Sequence, residues 1–169
     1  MANWHGNNPP MWVTKNGNHG NTDAVMAKEG WINPRTGEIL VAVSNLDVTA
    51  GAADPIVVSF LSALLAQGDP LAIEVKFNEL VDVTAGDSIV VASTGATPAI
   101  TLYAVAQHGV YKVRFDKKVD LITPEVVPAE TAVLSVAAQS ILGTIVDDST
   151  PLVASNLAIP ACLQTRSVA

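Results

Sequence analysis

Short apolar segments recur along most of this chain at intervals of about ten residues, each closed by Gly, Pro, Asn or Asp. None extends into a long amphipathic helix. Leu71-Ala-Ile-Glu-Val-Lys-Phe77 alternates apolar and polar residues, which puts Leu71, Ile73, Val75 and Phe77 on one face of a strand. Residues 79–87 read as a loop around Val81-Asp-Val83, followed by a short strand, Ser88-Ile-Val-Val-Ala92. Gly95-Ala-Thr-Pro98 is a turn and residues 99–105 a strand. Gln107-His108-Gly109 then turns into the alternating Val110-Tyr-Lys-Val-Arg-Phe115. Residues 116–128, with Pro124 and Pro128, form a longer connection before strands over 131–136, 141–146 and 152–159. This rhythm specifies an all-β sandwich and argues against an α/β enzyme fold.

Upstream, Trp31-Ile-Asn-Pro-Arg-Thr-Gly-Glu-Ile-Leu-Val-Ala-Val43 reads as a β-hairpin. Asn33-Pro34 starts its turn and Gly37 supplies the positive φ that closes it. Residues 56–66 fit either a buried strand or a short helix, because periodicity does not separate the two in so short an apolar run. Ile-Val-Val followed by Phe60 favours a strand at the start, and Gly68-Asp69-Pro70 ends it.

Composition divides the 169 residues into two parts. Residues 1–46 hold Trp4, Trp12 and Trp31, are crowded with Asn and Gly, and balance Lys15, Lys28 and Arg35 against Asp23, Glu29 and Glu38. The formal net charge of −7 therefore belongs to residues 47–169. We expect an extended N-terminal arm and hairpin over 1–46, and a sandwich of immunoglobulin-like size over 47–169. An Asn/Gly-rich arm has little core of its own, so Trp4, Trp12 and Trp31 are the expected anchors of an interface with a neighbouring subunit. An acidic chain repels phosphate, so no nucleic acid is expected as a partner. The longest apolar stretch falls short of the roughly 20 residues of a membrane span, so no membrane is expected either. The first ten residues lack a basic n-region and an apolar h-region, from which we expect cytosolic synthesis.

Motifs that carry chemistry are sparse. There is no phosphate loop, no G-x-G-x-x-G, no H-E-x-x-H and no G-x-S-x-G elbow. His5, His19 and His108 sit beside Gly or Asn in expected turns, and Cys162 reads as a small apolar filler. Glu79, Asp82, Asp87, Asp147 and Asp148 have two readings: solvated turn acids, or a loop cluster that binds calcium through its oxygens. We expect no enzymatic activity and no cofactor.

Ala72-Ile-Glu-Val-Lys-Phe-Asn-Glu-Leu-Val-Asp-Val83, with Ile89-Val-Val, Tyr111-Lys-Val-Arg-Phe115 and Ile145-Val-Asp-Asp148, resembles bacterial immunoglobulin-like repeats over about residues 69–160. Gly30-Trp-Ile-Asn-Pro-Arg-Thr-Gly-Glu-Ile-Leu-Val41 resembles the openings of tailed-bacteriophage virion proteins. That resemblance implies a structural role in the virion. The chain would be a decoration or cement subunit that clamps the major capsid protein or other virion subunits through its arm, homo-oligomeric in the particle. A tail-tube or tail-decoration subunit is the alternative within that class, and a carbohydrate- or host-surface-binding sandwich the alternative outside it.

Overall fold

The computed structural model describes residues 24–43, 52–147, 150–152 and 157–168. The regular elements named among them are strands. The chain opens with a meander of β1 (Val25–Ala27), β2 (Gly30–Ile32) and β3 (Ile39–Ala42). Its hairpin forms where the Asn-Pro and Gly signals place it. The Asn33 N–H donates to the Glu38 carbonyl at 2.8 Å, the Asn33 carbonyl accepts from Gly37, and Gly37 has φ +71°. Gly30 is required for a different reason. At φ +128° a Cβ there would collide with the Val41 carbonyl of β3.

Downstream come β4 (Pro55–Phe60), β5 (Ile73–Val83), β6 (Ser88–Ser93), β7 (Ala99–Tyr103), β8 (Gln107–Phe115) and β9 (Ala132–Ser135). Shorter pieces follow: β10 (Gln139–Ser140), β11 (Ile145–Asp147), β12 (Thr150–Pro151), β13 (Ala158–Ile159) and β14 (Arg166–Val168). The stretch left open between strand and helix is a strand over Pro55–Phe60 and irregular beyond it.

Strand β5 organises the larger sheet. Over residues 73–76 it is sandwiched between β4 and β8, both antiparallel. Over residues 82–83 its partner on the edge away from β8 is β11. At Glu79 it meets β1 in a single parallel register point with Met26. The loop expected over 79–87 is thus half strand, and only residues 84–87 turn. The local pattern misleads because Phe77, Asn78 and Glu79 are all buried in succession. A register shift against β8 between Lys76 and Val81 breaks the two-residue alternation there. Residues 107–109, expected as a turn, open β8. Gly109 (φ +59°) allows the irregular backbone, and its N–H donates to Asp82 Oδ1.

The second sheet runs β14-β9-β6-β7 and is four-stranded. β14 was not foreseen from the sequence. Both sheets contribute to one core, in which Ile73, Val75, Phe77 and Phe115 of the first pack with Ile89, Leu102 and Leu134 of the second. The β1–β3 meander carries a satellite cluster of its own, formed by Ala24, Met26 and Trp31 with Leu40, Val41 and Val43 against it.

Asp87 ties the turn after β5 to the approach to β11. Its carboxylate accepts from the Thr84 and Thr144 N–H groups. Gly143 lies against it at φ +146°, where a Cβ would collide with Asp87 Oδ1. Gly143→Ala is expected to destabilise the chain by about 2 kcal/mol through strain and the displaced carboxylate. Trp31→Ala is expected to cost about 3 kcal/mol by emptying the satellite cluster. Urea denaturation of the full chain measures both.

Candidate interaction surface

The residues singled out from the sequence do not converge. Trp4, Trp12, His5, His19 and Asp148 lie outside the described residues. Trp31 is 1% exposed. It fills a pocket of its own meander, where Met26 of β1 is its cross-strand partner. It is therefore not available as an anchor for a neighbour in this conformation, contrary to the expectation above. The reason is the meander itself: a Trp on the middle strand is covered from within the chain by β1 and by the residues of β3.

The acids are dispersed too, and most of them serve backbone N–H groups. Asp82 Oδ1 takes Gly109, and its Oδ2 stands 3.7 Å from His108 Nδ1 at the surface. Asp147 Oδ2 accepts from Ala53 at 2.9 Å. Asp87 is buried with its two N–H donors. Glu79, also buried, stands beside β1 in the larger sheet. Among the described residues no group of three or more His, Cys, Asp or Glu side chains is placed to hold a metal ion. No helix among them is long and apolar enough to cross a membrane.

The surface that stands out is apolar. A groove of about 300 Å³ runs between residues 56–59 of β4 and residues 160–164. Both banks are fixed. β4 is held by β5. On the other bank the Cys162 N–H donates to the Val136 carbonyl at 2.8 Å, and Cys162 packs partly against the main core. Arg166 joins the two banks at one end: its Nε donates to the Ser62 carbonyl, and its guanidinium lies over the Phe60 ring at 5.4 Å. Of the residues lining the groove Ile56 and Val57 are exposed and Leu163 is fully exposed; Leu61 and Leu64, further along the same uncharged stretch, are exposed too, Leu64 at 88%. This surface had a signal in the sequence. Residues 55–68 and 149–165 contain no charged side chain. Only the fold shows that residues 56–59 and 160–164 within them face each other.

A second apolar projection is the tip of the connection after β8. Val119 and Ile122 are 75% and 81% exposed. Asp120 holds the tip in shape: its carboxylate accepts from the Thr123 hydroxyl and from the Ile122 and Thr123 N–H groups. Those hydrogen bonds, the Thr123 hydroxyl first, keep its carboxyl below the ordinary aspartate range. Leu121 beside it has φ +60°, an uncommon conformation for a branched side chain.

Comparison with protein-family models, with curated proteins and with solved structures finds no match to this chain.

Burial pushes the Asp87 carboxyl above its ordinary value, and its hydrogen bonds to Thr144 and Thr84 offset this only in part. The folded chain therefore holds this proton more tightly than the unfolded chain does. Its contribution to stability is complete below the ordinary value of about 3.9 and declines as pH rises through the raised one. Asp87→Asn removes the titration. The difference in unfolding free energy, native minus variant, is expected to fall as pH rises above about 4 and then to level off. Urea titrations across that range measure it, and a difference that grows with pH contradicts the assignment.

Proposed function

We propose that this chain is a structural subunit of a bacteriophage particle, a decoration or cement protein. It would attach to the head through its apolar groove face together with its N-terminal segment. The observation that carries the reading is that face: an uncharged apolar surface, with Val57 and Leu163 exposed to solvent, on a chain of net charge −7. Exposed apolar clusters of this kind mark surfaces that another protein covers. Contact of this type strengthens a shell by burial alone, at about 25 cal/mol per Å² of apolar area, repeated over every copy. The resemblance of residues 30–41 to phage virion openings supplies the particle, and the major capsid protein is the partner it implies. Trp4 and Trp12 are the tryptophans left to serve as anchors, since Trp31 is enclosed.

We read the sandwich as immunoglobulin-like. Strand order supports this: β4-β5-β8 lie side by side in one sheet and β7-β6-β9-β14 in the other. The chain crosses between sheets from β5 to β6, returns from β7 to β8 and crosses again from β8 to β9, as Greek-key sandwiches do.

The test is addition of the purified full chain to phage heads assembled without it. Saturable, stoichiometric co-sedimentation with a raised head melting temperature is expected. Leu163→Asp is expected to weaken attachment about tenfold or more while leaving the chain's own melting temperature unchanged, because the side chain is exposed. Removal of residues 1–23, which leaves β1 intact, is expected to weaken it as well. A full chain that stays in the supernatant at all concentrations overturns the reading.

A further inference from the structure

Arg166 is placed differently from the cations of β8 and the residues just after it. Lys112 stands beside Glu74, and Arg114 and Lys117 stand beside Asp116. The groups that Arg166 meets are neutral. Its Nε donates to the Ser62 carbonyl at 2.8 Å, its Nη1 to the Thr165 carbonyl at 3.1 Å and its Nη2 to Gln164 Oε1 at 2.6 Å. The guanidinium also lies over the Phe60 ring. Hydrogen bonds from a charged donor are stronger than neutral ones, so these contacts hold their acceptors in place.

The acceptors belong to two irregular stretches. Residues 61–64 follow β4 and residues 160–165 lie between β13 and β14, and neither stretch is strand or helix. The Leu61 N–H ties the first to the Ala72 carbonyl, and the Cys162 N–H ties the second to the Val136 carbonyl. Exposed stretches of this kind open at low free energy unless a side chain holds them. Arg166 is itself anchored to the sandwich. It pairs with Leu134 of β9, and Val168, two residues on, is buried and bridges to Leu65.

The two stretches carry exposed apolar side chains: Leu61 and Leu64 on the first, Leu163 on the second. We propose that Arg166 is the positioning residue of this face. Held on the sandwich by β14, its guanidinium braces both stretches and keeps their apolar side chains in one arrangement before a partner covers them. A surface ordered in advance loses less conformational freedom on binding. The bracing stands on the geometry, and its purpose rests on the reading of this face as the attachment surface. The role calls for arginine rather than any cation. One planar fork reaches several acceptors and stacks on a ring, which a lysine ammonium does not reproduce.

Hydrogen–deuterium exchange of the full chain tests this. Arg166→Gln is expected to speed exchange at residues 61–64 and 163–165 about tenfold, the scale set by losing hydrogen bonds from a charged donor. Alkylation of Cys162, the chain's one cysteine, by iodoacetamide is expected to speed up as well. The amides of β5 and β8 keep their native rates. Arg166→Lys behaves as Arg166→Gln does. Gln164→Ala, at an exposed position, speeds exchange at 163–165 and leaves 61–64 unchanged. Native exchange in Arg166→Gln, or full rescue by Arg166→Lys, overturns the proposal. Exchange that rises throughout, β5 included, overturns it too, because Arg166 then serves the whole fold. Binding to phage heads separates the two readings. If the face loosens in Arg166→Gln and heads bind that variant as tightly as the native chain, the positioning role stands and attachment through this face falls. If Leu163→Asp weakens binding to heads while Arg166→Gln leaves the face unchanged, attachment stands and the positioning role falls.

Discussion

Strand β5 is the element on which the described structure depends. It is hydrogen-bonded to β4 and β8 at its start, touches β1 near its middle, and pairs with β8 and β11 at its end. Its apolar side chains Ile73, Val75, Phe77, Val81 and Val83 are nearly all fully buried. A strand in this position has no free edge, so its register sets the height of everything paired to it. The irregularity between Lys76 and Val81 falls where Glu79 meets Met26 of β1.

Turns hold the remaining elements, and carboxylates hold many of the turns. Asp69 accepts from Ala66, Asp82 from Gly109 and Asp147 from Ala53. Glu130 takes the Ala96 and Thr97 N–H groups of the turn after β6. Backbone N–H groups at such turns have no ladder partner, and an ionised acceptor satisfies them with a hydrogen bond stronger than a neutral one. Part of the chain's acidity thus has a structural explanation. These carboxylates are committed to their own backbone rather than gathered into a field for a ligand.

The groove face is the complement of that arrangement. Where charges are absent from the sequence, apolar side chains reach the surface, and they do so on two stretches that Arg166 joins. Association through such a face needs no chemistry beyond burial and shape.

The strands and hairpin turns were legible in the sequence because alternation and turn chemistry are local. Leu71 to Phe77 shows its face in its own spacing, and Asn33-Pro34 with Gly37 marks the turn the structure contains. The uncharged stretches were equally plain. The misreadings fall where a distant segment overrides the local pattern. Residues 79–83 join β5 because β8, β11 and β1 meet them there, and Trp31 is enclosed because β1 and β3 flank it. Residues 56–59 and 160–164 are separated by about a hundred positions, and no periodicity in either carries information about the other. By itself the sequence determined the class of fold, the places of most strands and the absence of charge on two segments. The tertiary structure decided that Trp31 is covered, where the described carboxylates point and that residues 56–59 and 160–164 form one surface, because those depend on chain-distant pairing with no local trace.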